Sequence, residues 1–296
     1  MKILLFGAEG QVGQAVYERL KKIEDVIAID RSLCDLRNEE AIKSCVVSAK
    51  PDLIVNAAAY TDVDLAEEQQ DDAFAVNAIA PGIIAKQAHL FAIPLIHFST
   101  EAVFDGKKEG AYNEDDVMHP LSVYGKSKCE GESLVRLFQS KHFILRTSWV
   151  FSSHGNNFIK KIIKLALEQD SLSVIDNQYG APTSAKWIAE VVAFIVGKIK
   201  LNDVKDLYGT YHITLDGHIS WWDYAQYVLK ILHELNITTK LTSDHIIPVS
   251  LSDYPQKALR PLHSKLDISK AKKTFMLEFP HWKKEVKQAI HLIRQS

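Results

Sequence analysis

The sequence predicts an α/β protein, a doubly wound parallel sheet with a smaller C-terminal lobe, and three observations carry that expectation. Short apolar and β-branched runs alternate with segments of helical spacing through the first half. The first run, Lys2–Phe6, leads into Gly7-Ala8-Glu9-Gly10-Gln11-Val12-Gly13, with glycines every third residue. The second run, residues 26–29, stops at Asp30. Runs that are apolar throughout, rather than alternating, belong to strands covered on both faces.

Composition narrows the class. The chain has 296 residues, 47% hydrophobic and 24% charged, enough for one large domain and a smaller lobe. A formal net charge of −2 without a basic stripe argues against nucleic acid as the main partner. Cys34, Cys45 and Cys129 are widely spaced, with no Cys-x-x-Cys, so they read as reduced thiols. Twelve histidines show no metal-ligand spacing, and no metal ligand is assigned. With no signal-like or membrane-length apolar run, a cytoplasmic protein without membrane partners is expected.

In order, Val12, Val16 and Leu20 mark a helix over residues 11–22 after the glycine turn. Such a turn lets backbone amides approach a pyrophosphate at the helix N-terminus; a plain strand-to-helix connection uses the same residues. Asp30 stands where a dinucleotide fold binds the adenosine ribose. Arg31 suits a 2′-phosphate or a solvated loop, which leaves NADH and NADPH both open. Asp35-Leu36 precedes a helix over 38–49, Pro51 introduces strand Leu53–Asn56, and Ala57, Ala58 and Ala59 form a third turn of small residues. Residues 71–92 have helical spacing interrupted near Pro81-Gly82, and 94–99 is the next buried strand. It ends at Ser99-Thr100, on the carboxyl edge where open α/β sheets bind ligands. A hydroxyl there suits a substrate carbonyl or a cap.

A polar loop over 106–119 leads to the segment 121–130, in which Tyr124 and Lys128 stand four apart, on one face of a helix. An adjacent ammonium favours a phenolate, so the expectation is that Lys128 lowers the Tyr124 pKa for proton transfer to a carbonyl oxygen. Tyr17 and Lys21 share the spacing on a helix expected only to pack, so the surroundings give the pair its meaning. Residues 143–147 are a further strand. Beyond Trp149, Gly155-Asn156-Asn157-Phe158 opens a helix, and 176–183 and 260–264 are polar loops whose amides and arginine suit a phosphorylated, hydroxyl-rich ligand or turn chemistry. The expected division is 1–150 for dinucleotide binding and 151–296 for a substrate lobe interleaved with it.

Together the glycine turn, Asp30, Ser99-Thr100 and Tyr124 with Lys128 resemble the extended short-chain dehydrogenase/reductase family. The resemblance extends over nearly the whole chain through the stretches 55–61, 74–77, 103–106, 145–151 and 176–183 and through Arg260-Pro261. It implies a Rossmann-type domain and NADPH- or NADH-dependent reduction of a dTDP-linked 4-keto-6-deoxy sugar for surface polysaccharide. Thr100, Tyr124 and Lys128 are the implied catalytic residues. Gly7, Gly10, Gln11, Val12, Asp30, Ala57, Ala58, Tyr60 and Asn77, with Tyr124 and Lys128, match cofactor positions; Arg31, Asp35 and Leu36 join them as candidates. Thr100, Glu101, Trp149, Asn157, Gln178 and Arg260 are the substrate candidates. The chain departs from the family pattern at Glu101 and Ala102, where such reductases usually read Asp and Tyr, and at His263, usually Asn. Ala102 removes the second acid that a dehydratase needs. Epimerisation, a non-catalytic regulatory subunit and a homodimer remain open.

Overall fold

A computed structural model describes residues 1–295. Its centre is a six-stranded parallel sheet built from β1 (Lys2–Phe6), β2 (Asp25–Ile29), β3 (Leu53–Asn56), β4 (Leu95–Thr100), β5 (His142–Thr147) and the strand Gly209–His212. Across the sheet the order is Gly209–His212, β5, β4, β3, β1, β2, every pairing parallel. The two-residue period of a strand sends alternate side chains to opposite faces. Ile3, Leu5, Val55, Phe98 and Leu145 join one buried cluster, while Leu4, Phe6, Ile54, Leu95 and Ile144 join the other. This is the doubly wound expectation in residue form.

The first cluster runs without a break into Ile159, Ile188, Tyr224 and Trp282 of the second half. The edge strand Gly209–His212 also comes from beyond residue 150, so the two halves share one sheet and one core. No helix among the described residues is long and apolar enough to cross a membrane.

Helices flanking the sheet position the cleft. α1 (Gln11–Leu20) begins at Gly10, with no side-chain cap and no acid in its first turn. Its leading N–H groups and positive dipole end are therefore left for an anion. α2 (Glu39–Ala49) is capped by Asn38, which accepts from Ala41 N. After α3 (Val63–Ala66), the 71–92 pattern resolves into α4 (Gln70–Phe74), a π-helical turn Ala75–Ile79 and α5 (Ala80–Leu90).

The interruption thus precedes Pro81 instead of falling on it. Proline has no N–H for the carbonyl four residues back, Asn77. That freed carbonyl lies against α6 (Val123–Phe138) at Gly131, where an added Cβ would come within 2.1 Å of it. The wide turn and the glycine let the two helices meet.

Candidate active site

The carboxyl ends of β1, β3, β4 and β5 open into one cleft of about 980 Å³. Every predicted site residue lines it except Asn77 and Asn157. Asn77 works one step back: its Oδ1 accepts from Tyr60 N at 2.9 Å, and its Nδ2 donates to Tyr60 O and Ser127 Oγ. It ties the loop after β3 to α6. Asn157 caps the helix Phe158–Glu168 through Lys160 N and donates to Gln11 Oε1 at 3.1 Å and to Ser152 O. Its side chain serves that cap and holds Gln11, which itself lines the cleft.

At the adenosine end, the glycine turn is a cradle that side chains would fill. Gly7 has φ +78°, and a Cβ there would stand 2.4 Å from Ala58 N; one on Gly13 would stand 1.9 Å from Gly7 O. Glycine is required at both positions. One Asp30 oxygen, Oδ1, accepts from Ser32 N, Ser32 Oγ and Leu33 N, which holds its carboxyl below the usual range. Asp35 is paired with Arg37, which also reaches Asp72 on α4. The Arg37 guanidinium draws the Asp35 pKa down to about 2. Arg31 is exposed at the rim. Thr147, buried and facing the cleft, has a hydroxyl without a partner among the described residues. An uncapped helix end, a turn that excludes Cβ atoms and an acid past β2 fit a dinucleotide.

The Thr100, Glu101 and Tyr124 side chains gather where β4 ends. Thr100 caps the short turn Glu101–Val103, accepting from Ala102 N at 3.1 Å, and donates to Glu101 Oε2 at 2.9 Å. Ser122 caps α6 through Gly125 N. Gly125 then presses on that turn so closely that a Cβ would lie 2.3 Å from Ala102 O. Contact between the two short caps brings the Tyr124 phenol to Thr100 and Glu101. Burial, reinforced by the Glu101 charge, pushes the Tyr124 phenol up, while a hydrogen bond shared with Thr100 opposes the rise.

The sequence expectation that Lys128 lowers the Tyr124 pKa is therefore corrected. The Lys128 ammonium donates to the Phe98 carbonyl at 2.6 Å, and burial lowers its own pKa to about 8, with Glu132 acting against the fall. Loss of water outweighs the neighbouring charge at Lys128, and at Tyr124 the two act together.

Opposite this centre, Trp149 takes φ +40°, a strained conformation for a bulky residue. Its indole stacks on Trp221 with centroids 3.5 Å apart. Trp221 Nε1 donates to Gln178 Oε1, and Gln178 Nε2 donates to Pro261 O. Arg260 binds both carboxylate oxygens of Asp64, which also accepts from Lys257 N and Ala258 N. Sequence reading missed Trp221 and Asp64. Neither has a local signature, because each matters through a partner far away in the chain.

The fold and cleft define a nicotinamide-dinucleotide enzyme of the short-chain dehydrogenase/reductase type. A family model described as RmlD substrate binding domain matches residues 1–295, and the chain belongs to that family. It is 38% identical to the dTDP-4-dehydrorhamnose reductase of Escherichia coli K12 over 98% of this chain and 97% of that one. The same enzyme of Salmonella typhimurium is 39% identical, again over 98% and 97%. Among solved structures, a dTDP-4-dehydrorhamnose reductase from Clostridium acetobutylicum superposes with a TM-score of 0.90 at 35% identity, covering 99% of this chain and 100% of that one. One from Bacillus anthracis, in complex with NADP, gives 0.86 at 31%, covering 98% of each.

Proposed function

We propose that this protein reduces the C4 keto group of dTDP-4-dehydro-L-rhamnose to dTDP-L-rhamnose with NADPH or NADH, for surface polysaccharide. One observation carries the reading: the Thr100 and Tyr124 hydroxyls converge at the end of β4, in the cleft that holds the glycine turn. Relatives named for this reaction match the chain from end to end. Residues 1–150 chiefly hold the dinucleotide, and the later segments the nucleotide sugar. Free cysteines and a need for reduced coenzyme support a cytoplasmic location.

Bound coenzyme supplies the hydride to C4. Tyr124 is the proton donor to the resulting oxygen, and its raised pKa keeps it protonated until charge develops there. Thr100 donates a hydrogen bond to the carbonyl oxygen. Lys128, held by the Phe98 carbonyl in the same cleft, meets the coenzyme. Gly7, Gly10, Gln11 and Val12 bind the pyrophosphate, and Asp30 the ribose. Trp149, Trp221 and Gln178 wall the sugar side, with Arg260 steadied by Asp64. The test is loss of nicotinamide absorbance with purified protein, each coenzyme and dTDP-4-dehydro-L-rhamnose, other 4-keto nucleotide sugars alongside. Oxidation with the dTDP sugar supports the reading. Coenzyme binding without oxidation by any sugar sinks it.

A further inference from the structure

A threonine hydroxyl has one proton and two lone pairs. At Thr100 one lone pair accepts from Ala102 N and the proton goes to Glu101 Oε2. With Glu101 ionised, that proton is committed, and Thr100 has none to offer a carbonyl oxygen beside Tyr124. With Glu101 neutral the sense of the bond reverses: the carboxyl O–H donates into the second lone pair, and the Thr100 proton is free to point into the cleft. The turn is hemmed in, with Ala102 O lying close against Gly125.

We propose that Glu101 is a positioning residue that sets the direction of the Thr100 hydroxyl, so that its neutral form aims the Thr100 proton at the sugar carbonyl and its ionised form withdraws it. The proposal rests on the reading that Thr100 receives that carbonyl. The charged and titratable groups around Glu101 are few. From α6 come Tyr124, whose hydroxyl shares Thr100, and Lys128, which is turned to Phe98 O. From the 259–261 segment comes Arg260, whose charge is met by Asp64. No cation is paired with Glu101 among the described residues. Burial accordingly raises its carboxyl to about 7, inside the working range. Ionised Glu101 also opposes the Tyr124 phenolate, so both effects slow reduction as pH rises.

The test is the pH dependence of kcat/KM for wild type and Glu101→Gln, with an infrared titration of the carboxyl band in coenzyme-free protein. In the wild type, kcat/KM falls as pH passes about 7, by roughly thirtyfold between pH 6 and 8.5 if one group controls it. The glutamine amide donates to Thr100 at every pH, so the falling limb moves up to about 8 or beyond, where Lys128 titrates. The infrared spectrum shows a carboxyl losing its proton near 7, absent from Glu101→Gln. A limb unmoved by Glu101→Gln overturns the proposal, as does a Glu101 band already ionised at pH 5. Should Glu101→Gln fail to fold, Thr100→Val serves: loss of the donor raises the Glu101 titration, and an unshifted band overturns the pairing. If no 4-keto sugar is reduced, the functional reading fails instead, and the infrared titration still decides the state of Glu101.

Discussion

Replacing Gly10 and Gly13 one at a time by alanine separates a glycine needed for folding from one needed for the coenzyme. A Cβ on Gly13 would lie 1.9 Å from Gly7 O, 2.7 Å from Gly7 C and 3.0 Å from Ala8 Cα, all backbone atoms, so no rotamer relieves it. The turn must open, at a cost of at least the ~1–3 kcal/mol typical of overpacking. At roughly 2–4 °C per kcal/mol, the melting temperature falls by several degrees or more. At Gly10 the φ is −69°, and the nearest heavy atom to a Cβ is Gly7 O at 3.5 Å, ordinary contact. Folding is therefore changed by no more than about 1 kcal/mol, the scale of a cap effect. Gly10 nevertheless lines the cleft at the uncapped end of α1, where the pyrophosphate is expected to touch backbone. A methyl there costs at least tenfold in affinity for NADPH and NADH alike, about 1.4 kcal/mol. Thermal melts with coenzyme titrations followed by fluorescence read both quantities. A Gly10→Ala protein that binds both coenzymes at wild-type strength would show that the pyrophosphate does not lie over this turn.

Three further outcomes follow from the same geometry. Tyr124→Phe keeps coenzyme affinity within about threefold while turnover drops by about a hundredfold or more, the range for a lost general acid; steady-state rates beside binding titrations check this. Lys128 is lowered from 10.5 to about 8 in the folded protein, so between these values the unfolded chain binds the extra proton. Its contribution to stability therefore rises with pH across that window, and denaturant melts should show the wild type gaining on Lys128→Met from pH 8 to 10.5. Asp64→Ala removes the acceptor shared by Arg260, Lys257 N and Ala258 N. The pair is partly exposed, so stability falls by about 1 kcal/mol or less. The KM for the nucleotide sugar should rise several-fold with kcat changed less, and an unchanged KM would remove the 257–260 segment from substrate binding.

The central strands were legible because burial on both faces writes itself as uninterrupted apolar residues: Leu53–Asn56 has the predicted bounds, and β1 likewise. Gly209–His212 was not, since Gly-Thr-Tyr-His carries no such run. It enters the sheet because β5 offers an open edge and because His212 Nε2 meets the buried Arg146 at 3.2 Å. Two-residue pairings such as Val150–Phe151 with Thr183–Ser184 are equally silent, being fixed by tertiary contact alone. At the site, Thr100 and Tyr124 could be read because each follows from the end of a regular element. At Asn157 the sequence leaves two roles open, because an asparagine that caps a helix and one that binds a ligand have the same local sequence. Arg260 and Asp64 are 196 positions apart, and nothing near either names the other.

The reversed sign at Tyr124 bears on the direction of the chemistry. A tyrosine that must take a proton from an alcohol at neutral pH benefits from a lowered pKa, since it has to begin as phenolate. One that must give a proton to a nascent alkoxide needs to begin protonated, and burial secures that state. The alkoxide is a far stronger base than any phenolate, so a raised Tyr124 pKa still leaves the transfer downhill. The raised value also favours recovery of the proton afterwards, since a more basic phenolate is refilled more readily. Lys128, less than fully committed to its charge with a pKa near 8, and Glu101, near 7, are the two groups at hand that hold protons loosely. A cleft with one firm donor and two loose ones is arranged for reduction.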